Sequence, residues 1–284
     1  MSLTLMYLTN EPAIALIAEK NGVQRIWIDL ETLGKEERQH NMNSVKSHHR
    51  IQDIEVISNM LTSSELLVRI NPMNPGSELE INQVIDAGAD IIMLPMWQTT
   101  EEVQAFLQLV DGRVQTTLLL ETKGAVECVD AVLAMGGFDE IHIGLNDLHL
   151  SYGCTFLFEL LTNGMVEMLC GKFRQAGIPY GFGGISRIKD GVLPAERIIM
   201  EHYRLGSTRA ILSRSFCNTA RIQSLSDIEN IFDKNMRMIR DYERSLSLKT
   251  EKDFIRNRDA IGKIVARTVS CMREAKKCNS VTGS

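Results

Sequence analysis

The chain is predicted to fold as a single (β/α)8 barrel, and three observations carry the prediction. Eight short apolar runs rich in Ile, Val and Leu recur along the sequence. Each is followed by an amphipathic stretch, the pattern of parallel strands buried on both faces and joined by helices. The length of 284 residues suits one barrel, a fold that uses about 250 residues. Alternation is also compatible with a doubly wound open sheet, but eight repeats favour closure.

The runs are LTLMYL at 3–8, RIWIDL at 25–30, ELLVRI at 65–70, DIIMLP at 90–95, QTTLLLE at 115–121, DEIHIG at 139–144, IPYGFG at 178–183 and TRAILS at 208–213. Between them lie helical stretches such as ELEINQVIDAGA, TTEEVQAFLQLV, KGAVECVDAVLAMGG and LPAERIIMEHYRLG. Several close on Gly, where a helix C-terminus favours a left-handed residue. After Cys217 the strand signal stops, so residues 1–217 read as the barrel and 218–284 as a helical extension. Its first helix opens on the capping pattern Ser226-x-x-Glu229 and carries Ile228, Ile231, Phe232, Ile239 and Tyr242 at helical spacing. The second, from about Thr250 to Lys277, places Phe254, Ile261, Val265 and Met272 on one face. With the ring of helices taken as complete, these stripes need another surface, either the barrel bottom or a second copy of the chain. A homo-oligomer is the expectation.

An apolar fraction of 44% and a charged fraction of 24% are those of a soluble globular protein. A net charge of -5 gives no general attraction to polyphosphate, which argues against nucleic acid and for a small-molecule partner. The six cysteines (Cys128, Cys154, Cys170, Cys217, Cys271 and Cys278) form no CxxC pair and no zinc spacing, so they read as reduced thiols of a cytoplasmic protein. The chain has neither a basic, apolar leader nor eighteen consecutive apolar residues, so no export signal or membrane span is expected.

In such a barrel the functional groups sit at the C-terminal ends of the strands. Those ends are polar here. They read Asp29-Leu-Glu31, Arg69-Ile-Asn71, Glu121-Thr122 and Gly144-Leu-Asn146-Asp147. One such acid alone is more often a helix cap or a solvated group. Carboxylates on adjacent strands can converge on a cation, and hard oxygen ligands suit Mg2+ or Mn2+. Read from the residues alone, the chain is an anion-binding barrel enzyme with a metal option. No Gly-rich nucleotide motif is present.

The segments RIWIDLET, LLVRINP, VIDAGADIIMLPMWQTTEEVQ and LLLETKGAVECVDAVLAMGGFDEIHIGLNDLHLSYG resemble, in order, the HpcH/HpaI aldolase and citrate lyase beta-subunit family over about residues 20–215. The resemblance implies that Glu121 and Asp147 bind Mg2+ or Mn2+ and that Arg69 contacts the oxygen of a bound 2-oxo acid. A cation there polarises the carbonyl, while Arg69, charged at every working pH, stabilises the enolate oxygen. Backbone N–H groups at Gly144 and Leu145 would hold the substrate carboxylate, since Gly permits close approach. The activity implied is that of a metal-dependent carbon–carbon lyase acting through a pyruvate-like enolate. The alternatives are a citrate-lyase-like enzyme acting on an acyl thioester and a non-catalytic barrel used as a binding or assembly module.

The chain departs from the family pattern at one position that matters. The family's aldolases have a Glu-His pair where this chain has Glu31-Thr32, and that His is their proposed acid/base residue. Glu31 is the expected substitute, or else a metal-bound water. His40, His48 and His49 lie in a polar stretch on the side where the site opens and are further candidates. His142 and His149 read as core or supporting groups, and His202 as structural. The short Asp111-Gly-Arg connection, where pyruvate aldolases carry a longer loop, bears on acceptor specificity. Gly183, Gly184, Arg187, Ser213 and Arg214, in GFGGISRI and SRSFCN, read equally as a cradle for an anionic tail or as tight turns.

Overall fold

The computed structural model describes residues 2–34, 49–222 and 224–281, the last six of these by backbone alone. Its eight strands are β1 (Thr4–Leu8), β2 (Arg25–Asp29), β3 (Glu65–Arg69), β4 (Ile91–Leu94), β5 (Gln115–Leu120), β6 (Glu140–Ile143), β7 (Tyr180–Ile185) and β8 (Arg209–Leu212). They close in sequence order into one barrel, and every neighbouring pair is parallel. The helices are α1 (Pro12–Lys20), α2 (Ile51–Ser58), α3 (Ser77–Asp86), α4 (Thr100–Val110), α5 (Lys123–Met135), α6 (Leu145–Ser151), α7 (Glu159–Thr162), α8 (Met165–Ala176), α9 (Ala195–Leu205), α10 (Leu225–Leu246) and α11 (Glu251–Val281). Among the described residues no helix is long and apolar enough to cross a membrane.

Side chains alternate across each strand, so one parity fills the barrel and the other meets the helices. Register pairs Arg25 with Glu65, Trp27 with Leu67 and Asp29 with Arg69, so three successive layers can be read from two strands. Met6, Trp27, Leu67, Ile91, Met93 and Leu119 form an apolar cluster separate from the larger core. The layer at the N-terminal ends is charged: Glu140 lies between Arg25 and Arg209 and accepts a hydrogen bond from Thr117 Oγ1 at 2.8 Å. The layer at the C-terminal ends contains Asp29 and Arg69.

Strand β7 runs further than its apolar signal, through Gly183 and Gly184 to Ile185, with a register shift against β8 between Gly181 and Gly184. Gly183 takes φ +53°, and a Cβ there would lie 2.6 Å from Leu145 Cδ1. Gly183 thus admits a left-handed irregularity that a side chain would strain.

The C-terminal helices lie on the chain itself. Helix α10 packs beside α1 and α9 and so fills the place in the ring that follows β8. It buries Ile228, Phe232, Met236, Ile239 and Leu246, and Phe232 meets the rings of Tyr7 and Phe216 edge-on. Glu243 of α10 accepts the Leu3 backbone N–H at 2.7 Å, which ties the helix to the start of β1. Helix α11 lies on α7 and α9 and buries Ile261, Val265 and Val269. Its expected fourth apolar residue, Met272, is exposed, and Val269 takes the inward position. The α10 cap is Ser224, whose Oγ accepts from Asp227 N, two residues before the Ser226 pattern. Most of both stripes is thus covered by the chain itself rather than left to another surface.

Two buried histidines give the fold an acid-sensitive element. His202 on α9 stacks on Phe182 with ring centroids 3.8 Å apart, and its Nδ1 lies 2.7 Å from Ser207 Oγ. Burial lowers the pKa of His142 to about 4 and, with a smaller contribution from His142, that of His202 to about 3. Both rings fold neutral, whereas the unfolded chain protonates them near pH 6.5. Stability is therefore full above that pH and falls as the pH drops towards 4, by about 2 kcal/mol per ring between pH 7 and pH 5. Urea midpoints at the two pH values should show this loss, and His202→Phe should remove about half of the difference.

Candidate functional site

A cavity of about 460 Å3 opens at the C-terminal end of the barrel. Asp29, Arg69, Glu121, Gly144, Leu145, Asn146 and Asp147 line it, together with residues from the end of β7 and the β8 loop. Arg69 lies across from Asp29 in the β2–β3 register and is gripped as a fork: Nε donates to Oδ1 and an Nη to Oδ2 of Asp29, both at 2.9 Å. The same guanidinium lies 3.2 Å from Glu31 Oε2 and over the Trp27 ring, 5.2 Å from its centroid. Burial by itself would lower the Arg69 pKa, but Asp29, Glu31 and, with a smaller contribution, Glu121 hold it above the ordinary arginine value. The group is a fixed, permanent cation.

Glu121 follows the last residue of β5. Its position is set from both sides. The next residue, Thr122, caps α5 by accepting from Ala125 N at 3.0 Å and donates to Trp97 O at 2.6 Å. Glu121 Oε1 accepts the Met96 backbone N–H at 3.2 Å, and Met96 adopts φ +56°. A non-glycine residue there costs about 1–2 kcal/mol. Gly144 follows β6, and its N–H donates to Leu120 O at 2.9 Å. A Cβ on it would lie 2.7 Å from Glu121 Oε2 and 2.8 Å from Glu121 Cβ, so glycine is needed for the carboxylate to lie where it does. Asp147 stands in the first turn of α6, directly after this glycine.

The arrangement brings Arg69, Glu121, Gly144, Leu145 and Asp147 to one cavity. Glu31 is buried against Arg69 and is not on the cavity wall, where Asp29 stands instead. Thr32 is exposed, with its N–H donating to Asn71 Oδ1 at 2.9 Å. His40 and His48 lie outside the described residues. His49 accepts the Asp29 backbone N–H on Nδ1 at 2.9 Å, which leaves Nε2 as the ring's donor. It lines an adjoining cavity of about 410 Å3 that shares Leu8, Trp27, Ile211, Ser213 and Arg214 with the first. His149 is buried with Nδ1 against Asn146 O, and His142 and His202 belong to the core.

Gly183, Gly184, Ser213 and Arg214 also line the first cavity, whereas Arg187 is half-exposed, pairs with Asp190 at 3.0 Å and is not on its wall. The Asp111–Arg113 connection precedes β5 and so lies at the opposite rim, where it cannot touch an acceptor bound in this cavity. Asp29 and Trp27 are the site residues that sequence reasoning assigned no role. Their inward parity with Arg25, and Asp29's place at a strand end, are the signals that pointed to them.

Among the described residues no group of three or more His, Cys, Asp or Glu side chains is arranged to hold a metal ion. Glu121 and Asp147 both line this cavity and offer hard oxygen donors to it, with the space beside Glu121 kept open by Gly144. A pair of carboxylates is a donor set Mg2+ accepts, because that ion completes its octahedron with water and substrate oxygens.

No curated protein matches this chain. Solved structures similar to it include an HpcH/HpaI aldolase from Desulfitobacterium hafniense DCB-2, at 16% identity and a TM-score of 0.58, over 84% of this chain and 93% of that one. An HpcH/HpaI aldolase/citrate lyase family protein from Burkholderia cenocepacia J2315 is 15% identical, with a TM-score of 0.58 over 80% of this chain and 95% of the other. RipC from Yersinia pestis is 17% identical, with a TM-score of 0.53 over 81% and 94%. At these identities the likeness establishes the fold. The model of one sequence family matches residues 3–157, more than half of the chain, and includes Arg69, Glu121 and Asp147. The chain belongs to the HpcH/HpaI aldolase/citrate lyase family.

Proposed function

We propose that this protein is a divalent-metal-dependent carbon–carbon lyase that makes or breaks the bond next to a 2-oxo acid through its enolate. Family membership points to a carbon–carbon lyase, and the observation that carries the finer reading is a locked guanidinium sharing one cavity with two carboxylates. Glu121 and Asp147 would hold Mg2+ or Mn2+, which supplies Lewis-acid polarisation of the substrate carbonyl. Arg69 stands ready for the oxygen on which negative charge grows, and its fork on Asp29 means that no reorganisation is needed at that moment. Backbone N–H groups at Gly144 and Leu145 offer a seat for the substrate carboxylate.

Glu31 lies against Arg69 and is not among the residues that line the cavity, so we assign it a positioning role rather than that of the base. Its effect should be read in kcat more than in KM, with Glu31→Gln retaining more activity than Glu31→Ala. Gly144→Ala is expected to weaken Mg2+ binding about 10- to 100-fold by displacing Glu121. Calorimetric titration checks this, with circular dichroism confirming an intact fold.

Exchange of the pyruvate methyl protons with deuterium, followed by NMR with and without Mg2+, tests the main reading. Enolisation needs no acceptor, so exchange that depends on the metal is the expected result. A metal-loaded protein that binds pyruvate but exchanges nothing would favour a binding module. The adjoining cavity favours a second reading, in which an acyl thioester extends past Arg214. Turnover of thioesters but not of free oxo acids would select it.

A further inference from the structure

The lining of the cavity is of two kinds. Asp29, Arg69, Glu121, Asp147 and Arg214 are charged, with the polar Ser186, Ser213 and Ser215 just after the ends of β7 and β8, whereas Leu145, Phe156, Leu157, Phe158, Val192 and Leu193 supply an apolar wall. Five of these come from two connections near the barrel mouth, 152–158 between α6 and α7 and 186–194 between β7 and α9; the sixth, Leu145, starts α6. Loop residues at such a mouth are usually polar. Here three consecutive apolar side chains are half-buried, and Val192 is 65% exposed.

The wall is also built rather than incidental. Glu159 Oε1 accepts the N–H groups of Thr155 and Phe156 at 2.6 and 2.8 Å, which fixes the loop backbone. Phe156 and Phe158 pack edge-to-face with centroids 5.3 Å apart. The same loop returns to α6 through Cys154 N donating to His149 O at 2.8 Å, next to the turn that carries Asp147. An apolar surface is thus fixed in place beside the carboxylates. It cannot help to hold a cation, and it leaves any polar group laid on it without a partner.

We infer that this wall receives the apolar side chain of the second reactant, so that the reaction joins a 2-oxo acid to an alkyl or aryl aldehyde rather than to a polyhydroxylated or anionic one. The inference rests on the proposed lyase reading. In the condensation C3 of the oxo acid bonds to the aldehyde carbon, one methyl proton is lost and the new alkoxide gains one. The product is a 4-hydroxy-2-oxo acid whose tail beyond C4 lies on the wall.

Binding of 2-oxo acids in the presence of Mg2+, measured by calorimetry, tests this without requiring turnover. The probes are pyruvate, 2-oxohexanoate and the equally long diacid 2-oxoadipate. Affinity is expected to rise about fourfold for each methylene that reaches the wall. Thus 2-oxohexanoate should bind at least about tenfold more tightly than either pyruvate or 2-oxoadipate. Leu157→Ser and Phe158→Ser should each cut the 2-oxohexanoate-to-pyruvate affinity ratio severalfold. A flat series, a preference for the diacid, or a ratio that neither substitution moves overturns the inference. If metal-dependent exchange of pyruvate protons persists in that case, the lyase reading stands. If no 2-oxo acid binds, both fall together.

Discussion

Glu121→Gln is expected to lower metal-dependent exchange of pyruvate methyl protons by about a thousandfold or more, while leaving the protein folded. The substitution preserves shape. The amide oxygen that replaces the carboxylate can still accept the Met96 N–H, and the change adds no heavy atom beside Gly144, whose missing Cβ leaves the room this side chain occupies. What it removes is one negative charge from the pair that would hold the cation. Arg69 keeps Asp29 and Glu31 as its principal partners, so no buried cation is stranded, and thermal stability should change little. Asp147→Asn should fail in the same way. The double variant should be hardly worse than either single one, because the two carboxylates act as a unit. Exchange measured by NMR, set beside Mg2+ titration of the same proteins, separates loss of the ion from loss of chemistry. Undiminished exchange in Glu121→Gln would remove the metal assignment.

Most of the barrel was legible because its signal is local. A strand buried on both faces reads as an apolar run wherever it occurs, and eight of them placed the strand ends within about two residues. Glu121, Gly144 and Asp147 stood out for the same reason: each directly follows such a run or lies within the next few residues. What depends on register between strands was not legible. Nothing in the sequence says that Asp29 faces Arg69, and so which of Asp29 and Glu31 lines the cavity had to await the β2–β3 pairing. The two C-terminal helices show the same limit. Their stripes were evident, but which surface they cover depends on where the chain has already been. Helix α10 fits beside α1 because β8 closes on β1. The apolar side of the cavity is assembled from segments some 40 residues apart, each ordinary in composition, and only the closed barrel turns them towards one space. Ser224 and Ser226 each have an acid three residues on, Asp227 and Glu229, so the pattern alone could not say that Ser224 caps α10.

The far end of the barrel gives the largest expected effect on stability. Glu140→Ala should cost about 3–5 kcal/mol. Glu140 is buried between the guanidiniums of Arg25 and Arg209, and Arg25 is itself buried, its other carboxylate partner Glu65 being far more exposed. Removing the central carboxylate leaves a cation inside the barrel without its principal counter-charge, and the apolar cluster of Met6, Trp27 and Leu67 offers no substitute. Burial alone would raise the Glu140 pKa. Arg25 and Arg209 outweigh it and hold the value below the ordinary range. The stabilisation is therefore present above the usual carboxylate pKa and is lost only as the pH falls through the lowered one. The histidine contribution begins to fall at a higher pH, near 6.5, and pH 7 lies above both windows, so measurements there report the charge cluster with both histidines neutral. At about 2–4 °C per kcal/mol for a chain approaching this size, the melting temperature should drop by roughly 10 °C. A simultaneous change of Arg25, Glu140 and Arg209 to apolar residues of similar volume should cost much less than Glu140→Ala alone, because it leaves no uncompensated charge. If Glu140→Ala melts within about 1 °C of the parent, well inside the shift expected for even 1 kcal/mol, the cluster is not holding this end together. The cluster lies at the N-terminal rim and the proposed chemistry at the C-terminal one, so Glu140→Ala should retain pyruvate exchange at any temperature where it remains folded.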